Sequence, residues 1–356
     1  MIKVLIVEDS PTMQQLLAYS ISVDPELEVV GFAEDGEEAI DAVREFHPDV
    51  IAMDWHMPKL DGLQATRIIM ETNPTPIVIV SGSFLAKDVA SSFSTIEAGA
   101  LAIVKKPPSI DHPAYKKEAQ ALIQTLKLMS EVKLVKRIAH SKKREPDELA
   151  IGKNTNKESE IKVIAMGAST GGPLVLQKIL SGLPKNIQVP ILIVQHIAQG
   201  FTEGFVEWLN NTTNFPVHIA THGEYPLPGH GYIAPDNFHM GVERGPRIVL
   251  SNHELENGLR PSVAYLFRTT SLAFGSGAIG VLLTGMGRDG AEELKTMKEN
   301  GAITIVQDEE SSVVHGMPGE AIKLKAAKYI LSPEDIISTL NAIIKKTNGD
   351  KYERQK

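Results

Sequence analysis

Residues 1–11 read MIKVLIVEDSP, and residues 161–173 read IKVIAMGASTGGP. Each opens on a short aliphatic run, breaks into a turn of acidic or small residues, and meets a proline at the head of an amphipathic stretch. That order marks a buried parallel strand feeding a crossover helix. The same rhythm spreads outward from both stretches. In the first half the strand-like runs are Lys3–Val7, Val50–Met53, Ile77–Val80 and Leu101–Val104, with helical segments near 11–22, 36–46, 60–71 and 112–129. Ser10-Pro11 supplies an N-cap and a proline at the first helical position. In the second half the runs are Ile161–Met166, Val189–Val194, Ile279–Leu283 and Ala302–Val306. Repeated βα units predict two doubly wound parallel sheets, an α/β fold class. Between 216 and 251 the pattern breaks into short pieces rich in turn residues (PLPGHGYIAPDN), which predicts an antiparallel hairpin in the second unit. The expected division is a first domain over 1–128, a linker over 129–160, a second domain over 161–348 and a polar tail over 349–356.

The chain has 356 residues, of which 42% are hydrophobic and 22% charged, and each half is long enough to bury its own core. Its net charge of -8 gives no support to nucleic-acid binding. With no cysteine, disulfides, thiolate metal sites and cysteine nucleophiles are excluded. Glu8 and Asp9 fall where a signal peptide would run on apolar, and no apolar run approaches bilayer length. A soluble, cytoplasmic protein is expected. The linker is polar, and its basic cluster Lys142, Lys143 and Arg144 reads as a solvated face.

In the first half, acids collect at strand C-termini, where open α/β sheets bind ligands. Glu8 and Asp9 follow the first strand and Asp54 the third. Three carboxylates brought together repel unless a cation neutralises them, and a half-open set of oxygen ligands suits Mg²⁺. Ser81 ends the fourth strand and Lys106-Pro107 follows the fifth, so a hydroxyl and an ammonium converge on the same pocket. Such a set suits placing a phosphoryl group on a carboxylate. Singly, each acid is an ordinary surface carboxylate; the constellation carries the reading. Lys105 is expected on the opposite face of its strand.

In the second half, Gly167-x-Ser169-x-Gly171 sits between a strand and a helix. The glycines allow a sharp turn, and the helix N-terminus offers N–H groups to an oxyanion. Alone, this pattern also fits a phosphate-binding turn. His196 ends the next strand and Asp289 follows the strand Ile279–Leu283, so one sheet edge gathers Ser169 as nucleophile, His196 as proton carrier and Asp289 as orienting acid. The order Ser–His–Asp differs from that of α/β-hydrolases and implies a convergent arrangement. A rival reading takes Gly285–Gly290 (GMGRDG) with Asp308 as a dinucleotide fingerprint. It would put Asp289 against a pyrophosphate, which argues against it. His222, His230, His239, His253 and His315 show no metal spacing.

The motifs VEDS, MDWHMPKLDG, IVSG and VKKP over about 1–125 resemble response-regulator receiver domains. The motifs GASTGGP, VQHI, YIAPDNFH, RPSV, LLTGMGRDG and QDEESSVVHGMPGEAI over about 161–325 resemble the catalytic domain of chemotaxis protein-glutamate methylesterases. The resemblance implies a flavodoxin-like receiver joined to a hydrolase-type domain. Asp54 would be phosphorylated by a histidine kinase, Glu8, Asp9 and Asp54 would hold Mg²⁺, and Ser81 and Lys106 would read the phosphate. The backbone carbonyl of His56 would be a further ligand. It also implies the triad Ser169, His196 and Asp289, with an oxyanion hole from the N–H of Met286 and a second donor at Thr170, and no cofactor in the catalytic domain. The implied activity is hydrolysis of glutamate methyl esters on chemoreceptors, and deamidation of receptor glutamines, with only peripheral contact at the membrane. Two positions depart from the pattern: Ile103 stands where receivers often carry an aromatic switch residue, and Ala264 follows RPSV in place of an aspartate. The Ala264 departure suggests an altered rim of the site or an altered substrate preference. A receiver-gated esterase on another substrate, or a silent phosphorylation-dependent docking module, are the alternatives.

Overall fold

The computed structural model describes residues 1–82, 86–132, 160–243, 245 and 247–353. The basic cluster and most of the expected linker lie outside the described residues.

The first sheet alternates strictly with helices: β1 (Ile2–Val7), α1 (Pro11–Ser22), β2 (Leu27–Ala33), α2 (Gly36–Phe46), β3 (Val50–Met53), α3 (Gly62–Thr72), β4 (Ile77–Ser81), α4 (Ala86–Ala98), β5 (Ala102–Lys105) and α5 (Tyr115–Ser130). All pairings are parallel, in the order β2-β1-β3-β4-β5, which is the flavodoxin-like arrangement expected. Ser10 does cap α1, its Oγ accepting from Met13 N at 3.4 Å, with Pro11 opening the helix. β2 is the strand that the apolar runs did not mark. It lies at the sheet edge with only its two ends buried, so it carries no continuous buried run.

The second sheet is built from β6 (Val163–Ala168), α6 (Gly172–Gly182), β7 (Ile191–Gln195), α7 (Thr202–Thr213), β8 (Val217–Ile219), β9 (Gly231–Ile233), β10 (His239–Glu243), β11 (Arg247–Ser251), α8 (Val263–Phe274), β12 (Ala278–Leu282), α9 (Ala291–Glu299), β13 (Ile303–Gln307), α10 (Met317–Lys323), β14 (Tyr329–Leu331) and α11 (Pro333–Glu353). Seven strands pair in parallel in the order β14-β13-β12-β6-β7-β9-β8. β10 and β11 form the expected antiparallel hairpin. The central strands β6, β7 and β12 are buried along their whole length, as a sheet covered on both faces requires. No helix among the described residues is long and apolar enough to cross a membrane.

The two layered units share an apolar seam. α4 of the first packs on α7 of the second. Phe93, buried, lies 5.2 Å from the ring of Phe205 and stacks on Trp208 at 5.4 Å. One cluster of buried side chains runs from the core of the first sheet through Phe93 and Ile96 into that of the second. Gln177 Nε2 donates to Glu97 Oε1 at 2.6 Å beside it. Phe93→Ala removes the aromatic wedge of this seam at a cost of about 3 kcal/mol. We expect differential scanning calorimetry to show the joint transition of the native protein split into two; an unsplit transition at the native temperature would contradict this role.

Candidate active site and acidic pocket

The sharpest feature of the second sheet is the turn after β6. Ser169 N donates to Thr284 O at 3.0 Å, and Gly172 N donates back to Ser169 O at 2.8 Å. Gly171 takes a positive φ of 78° and opens α6. These bonds bind the serine turn to the loop after β12 and leave its side chain at the sheet's C-terminal edge. Ser169 and His196 line the same cleft, of about 710 Å³. His196 follows β7, and its N–H donates to Ala168 O at 2.9 Å. Its Nε2 lies 3.0 Å from Asp289 Oδ2, which leaves Nδ1 as the ring nitrogen for a proton from substrate or serine. Three residues chosen from separate strand ends thus meet on one edge.

Asp289 is buried and heavily solvated by the protein. Besides His196, it accepts from Asn257 Nδ2 at 3.0 Å, Ser262 Oγ at 2.9 Å, Val263 N at 2.6 Å and Ala264 N at 3.3 Å. Burial alone would raise its pKa; the bonds from His196, Asn257 and the Val263 N–H outweigh burial and hold the carboxyl below the usual value of 3.8. A charged acid here favours an imidazolium next to it.

Neither Met286 N nor Thr170 N donates a hydrogen bond among the described residues. Both flank the serine turn: Thr170 O accepts from Thr284 Oγ1 at 2.9 Å, and Gly285, next to Met286, is held by Val314 O at 3.0 Å. A Cβ at Gly285 would lie 2.6 Å from Ser169 Cβ and 2.5 Å from Met317 Sδ, so only glycine lets the two loops approach this closely.

Four residues that sequence reasoning gave no role support the site. Asn257, Ser262 and Arg260 come from the irregular loop before α8, where no periodicity signals function. Gln195 sits inside the VQHI motif, and its Nε2 donates to both Ser169 O and His196 O at 2.8 Å, tying nucleophile and base turns together. One expectation is corrected. Ala264 does not lie on the rim: it is 1% exposed, at the start of α8, with its N–H turned to Asp289. A carboxylate side chain at that depth would stand beside another buried acid. The dinucleotide reading finds no support, because Asp289 is consumed by its five donors and Asp308 Oδ1 accepts from Ser311 N at 3.0 Å in a local turn. Of the remaining histidines, His239 is buried with Nε2 3.0 Å from Glu254 O, and His230 pairs with His218 at 2.7 Å.

In the first sheet, Glu8 and Asp54 are buried and Asp9 is exposed, with carboxylate oxygens of all three within 4.8 Å of one another. Lys106 Nζ bridges Glu8 Oε2 and Asp54 Oδ2, at 2.7 Å each. Burial, aided by the charge of Asp54, lifts the Glu8 pKa above its ordinary value against the pull of Lys106. Burial pushes Lys106 down, but Asp54 and Glu8 together raise it. Ser81 Oγ is buried with no partner among the described residues. Three carboxylates against one ammonium leave two negative charges, and the exposed Asp9 keeps one side open, so the donor set fits a divalent cation. Lys105, as expected, turns away from this pocket and lines the 710 Å³ cleft with Ile103.

The fold and its two sites define a two-part α/β protein: a receiver-like sheet with an acidic phospho-acceptor pocket, and a hydrolase-like sheet with a Ser–His–Asp edge. The response regulator receiver domain family matches residues 4–113, and the CheB methylesterase family matches 164–340. The chain is 53% identical to the protein-glutamate methylesterase/protein-glutamine glutaminase of Nitrosospira multiformis, over 97% of both chains. It is 52% identical to protein-glutamate methylesterase/protein-glutamine glutaminase 4 of Geobacter metallireducens, over 96% of this chain and 99% of that one. The CheB methylesterase catalytic domain of Thermotoga maritima superposes with a TM-score of 0.50 at 36% identity, covering 52% of this chain and 99% of that one. The chain belongs to the protein-glutamate methylesterase/protein-glutamine glutaminase family.

A pH test isolates Asp289. Because its folded pKa is depressed, its stabilising effect is complete above the unfolded value near 3.8 and is lost as pH falls toward the lower folded value. Urea midpoints of the native protein minus those of Asp289→Asn should therefore shrink as pH drops through about 4 and below; a constant difference would show that ionisation of Asp289 is not coupled to folding.

Proposed function

We propose that the protein is a phosphorylation-controlled serine esterase that hydrolyses glutamate methyl esters on chemoreceptors and deamidates receptor glutamines by the same route. The proposed division is a receiver over 1–128, a linker over 129–160, a catalytic domain over 161–348 and a tail over 349–356. The observation that carries the reading is the His196–Asp289 contact of 3.0 Å at the edge of a cleft that Ser169 also lines.

Ser169 Oγ attacks the ester carbonyl and gives its proton to His196 Nδ1. Asp289, kept ionised by its donors, stabilises the imidazolium. The unused N–H groups of Met286 and Thr170 receive the oxyanion. His196 returns the proton to the leaving methanol, and then activates water to free the carboxylate from the acyl-serine. With a glutamine substrate, ammonia leaves instead.

Control is proposed to come from Asp54, phosphorylated by a histidine kinase. Glu8, Asp9 and Asp54 would hold Mg²⁺, which supplies positive charge to the phosphoryl oxygens when bound. Lys106 exchanges its bridge to Glu8 and Asp54 for the new phosphoryl group, and Ser81 Oγ gains the partner it lacks. The strand leading to Lys106 forms one wall of the catalytic cleft, with α5 beside it. The receiver therefore narrows access to Ser169 when Asp54 is unmodified, and a change at Lys106 loosens that wall. The cytoplasm, where receptor methylation sites and kinase meet, is the proposed location.

Methanol release from a methylated chemoreceptor fragment tests both halves of this reading. With Mg²⁺ and a small phosphodonor, release from the native protein should rise about tenfold or more, Asp54→Ala should abolish that rise, and Ser169→Ala should cut the rate by about a thousandfold or more. Undiminished release from Ser169→Ala would remove the serine from the chemistry; an undiminished rise in Asp54→Ala would remove Asp54 from the control.

A further inference from the structure

The catalytic cleft holds a cation that no acid among the described residues neutralises. Arg260 lines it together with Ser169 and His196. Its Nη1 donates to the carbonyls of Asn252 and His253, at 2.8 Å each, so the guanidinium is fixed by its own loop. Its Nε is buried and has no hydrogen-bond partner, and Arg260 makes no ion pair among the described residues. The acids that share the cleft do not serve it. Asp236 accepts from Gly200 N at 2.6 Å and from Thr202 Oγ1, and Glu118 belongs to α5 of the receiver and forms no ion pair with Arg260.

A guanidinium fixed by its own loop, with donors left over, in a cleft that a nucleophile also lines is suited to take a carboxylate. The loop that presents it is itself braced. Arg268 forms a two-point ion pair with Glu256, and Asn257, the next residue, donates to Asp289. The same short loop thus orients the triad acid at one point and offers a positive charge to the substrate at another.

Resting on the esterase reading above, we propose that Arg260 is a specificity-determining residue that binds a side-chain carboxylate flanking the scissile glutamyl ester. Its consequence is a preference in the order of hydrolysis. Each ester hydrolysed yields a carboxylate, so a substrate with neighbouring esters acquires the group that Arg260 takes, and the second site becomes a better substrate than the first.

The test uses the full chain with Mg²⁺ and a phosphodonor, and two helical peptides that carry one glutamate γ-methyl ester. One peptide has a glutamate one helical turn from the ester, and the other has methionine there. The native protein should favour the acidic peptide about tenfold in kcat/KM. Arg260→Gln should bring the acidic peptide to the level of the neutral one through KM rather than kcat, and Arg260→Lys should restore part of the preference. Equal kcat/KM for the two peptides with the native protein overturns the proposal without recourse to any variant. An unchanged preference in Arg260→Gln overturns it too, as does an equal fall in kcat on both peptides, which would mark a structural role. Failure to release methanol from either peptide would overturn the esterase reading and this proposal together.

Discussion

A carboxylate buried at 2% exposure has to be solvated by the protein around it, and Asp289 imposes that demand on the second sheet. Its donors come from three places: the imidazole after β7, the loop at Asn257, and the N-terminus of α8 with Ser262. None of them could be moved without stranding a charge. The position of α8, the path of the loop before it and the orientation of the His196 ring are thereby fixed by one residue. Gly290, at a φ of 81°, lets the chain turn from Asp289 into α9, and its missing Cβ leaves room for Val263, whose N–H is one of the donors. The electrostatic requirement and the packing of this edge are the same constraint.

The nucleophile side is governed by a neutral counterpart. One amide nitrogen, that of Gln195, donates to the carbonyls of both Ser169 and His196. Thr284 O in turn accepts from Ser169 N, its hydroxyl donates to Thr170 O, and its own N–H donates to Gln307 Oε1. Four strand ends, those of β6, β7, β12 and β13, are laced by side chains that carry no charge. Preorganisation of this kind leaves Thr170 N in the serine turn and Met286 N in the loop after β12 without an acceptor among the described residues, as the proposed oxyanion hole requires.

How much of this can be read from residues alone depends on what each interaction leaves in the sequence. Buried parallel strands leave aliphatic runs, so β1, β3, β4, β5, β6, β7, β12 and β13 were legible, to within one or two residues at their ends. The edge strand β2 and the three-residue strands β8, β9 and β14 leave no such run. The candidate site residues gather at strand C-termini: Ser169, His196, Asp54 and Lys106 directly follow a strand, Ser81 closes β4 and Asp289 lies in the loop after β12, so all six were visible from the strand runs. Asn257 was not, because a loop's fold is decided by contacts with distant segments: at a φ of 53°, it is placed by an acid 32 residues away, whereas Arg260 and Ser262 fall within the RPSV motif, which marked the stretch without giving either a role. Ala264 looked like a rim position for the same reason. Its depth follows from where α8 must start to serve Asp289, and nothing in RPSVA itself encodes that.

The two sites share one strand, β5, whose end reaches the acids and whose residues line the cleft. Successive residues of an extended chain face opposite ways. At the end of β5, Lys106 therefore reaches the acids while Lys105 lines the catalytic cleft with Ile103. In the proposed control, a shift of the backbone that follows Lys106 toward a phosphoryl group would be carried one residue along into the cleft wall. An aromatic switch residue at position 103 is not needed for that transmission, since the branched side chain of Ile103 already packs in the shared apolar cluster with Phe93 and Ile96. The seam at Phe93 and Trp208 supplies the resistance against which such a shift acts: it is apolar, continuous with both cores, and unaffected by charge. In the proposed control, a phosphoryl group acts at this one strand end, where a half-buried lysine is held by two acids, to alter access to a serine on a different sheet.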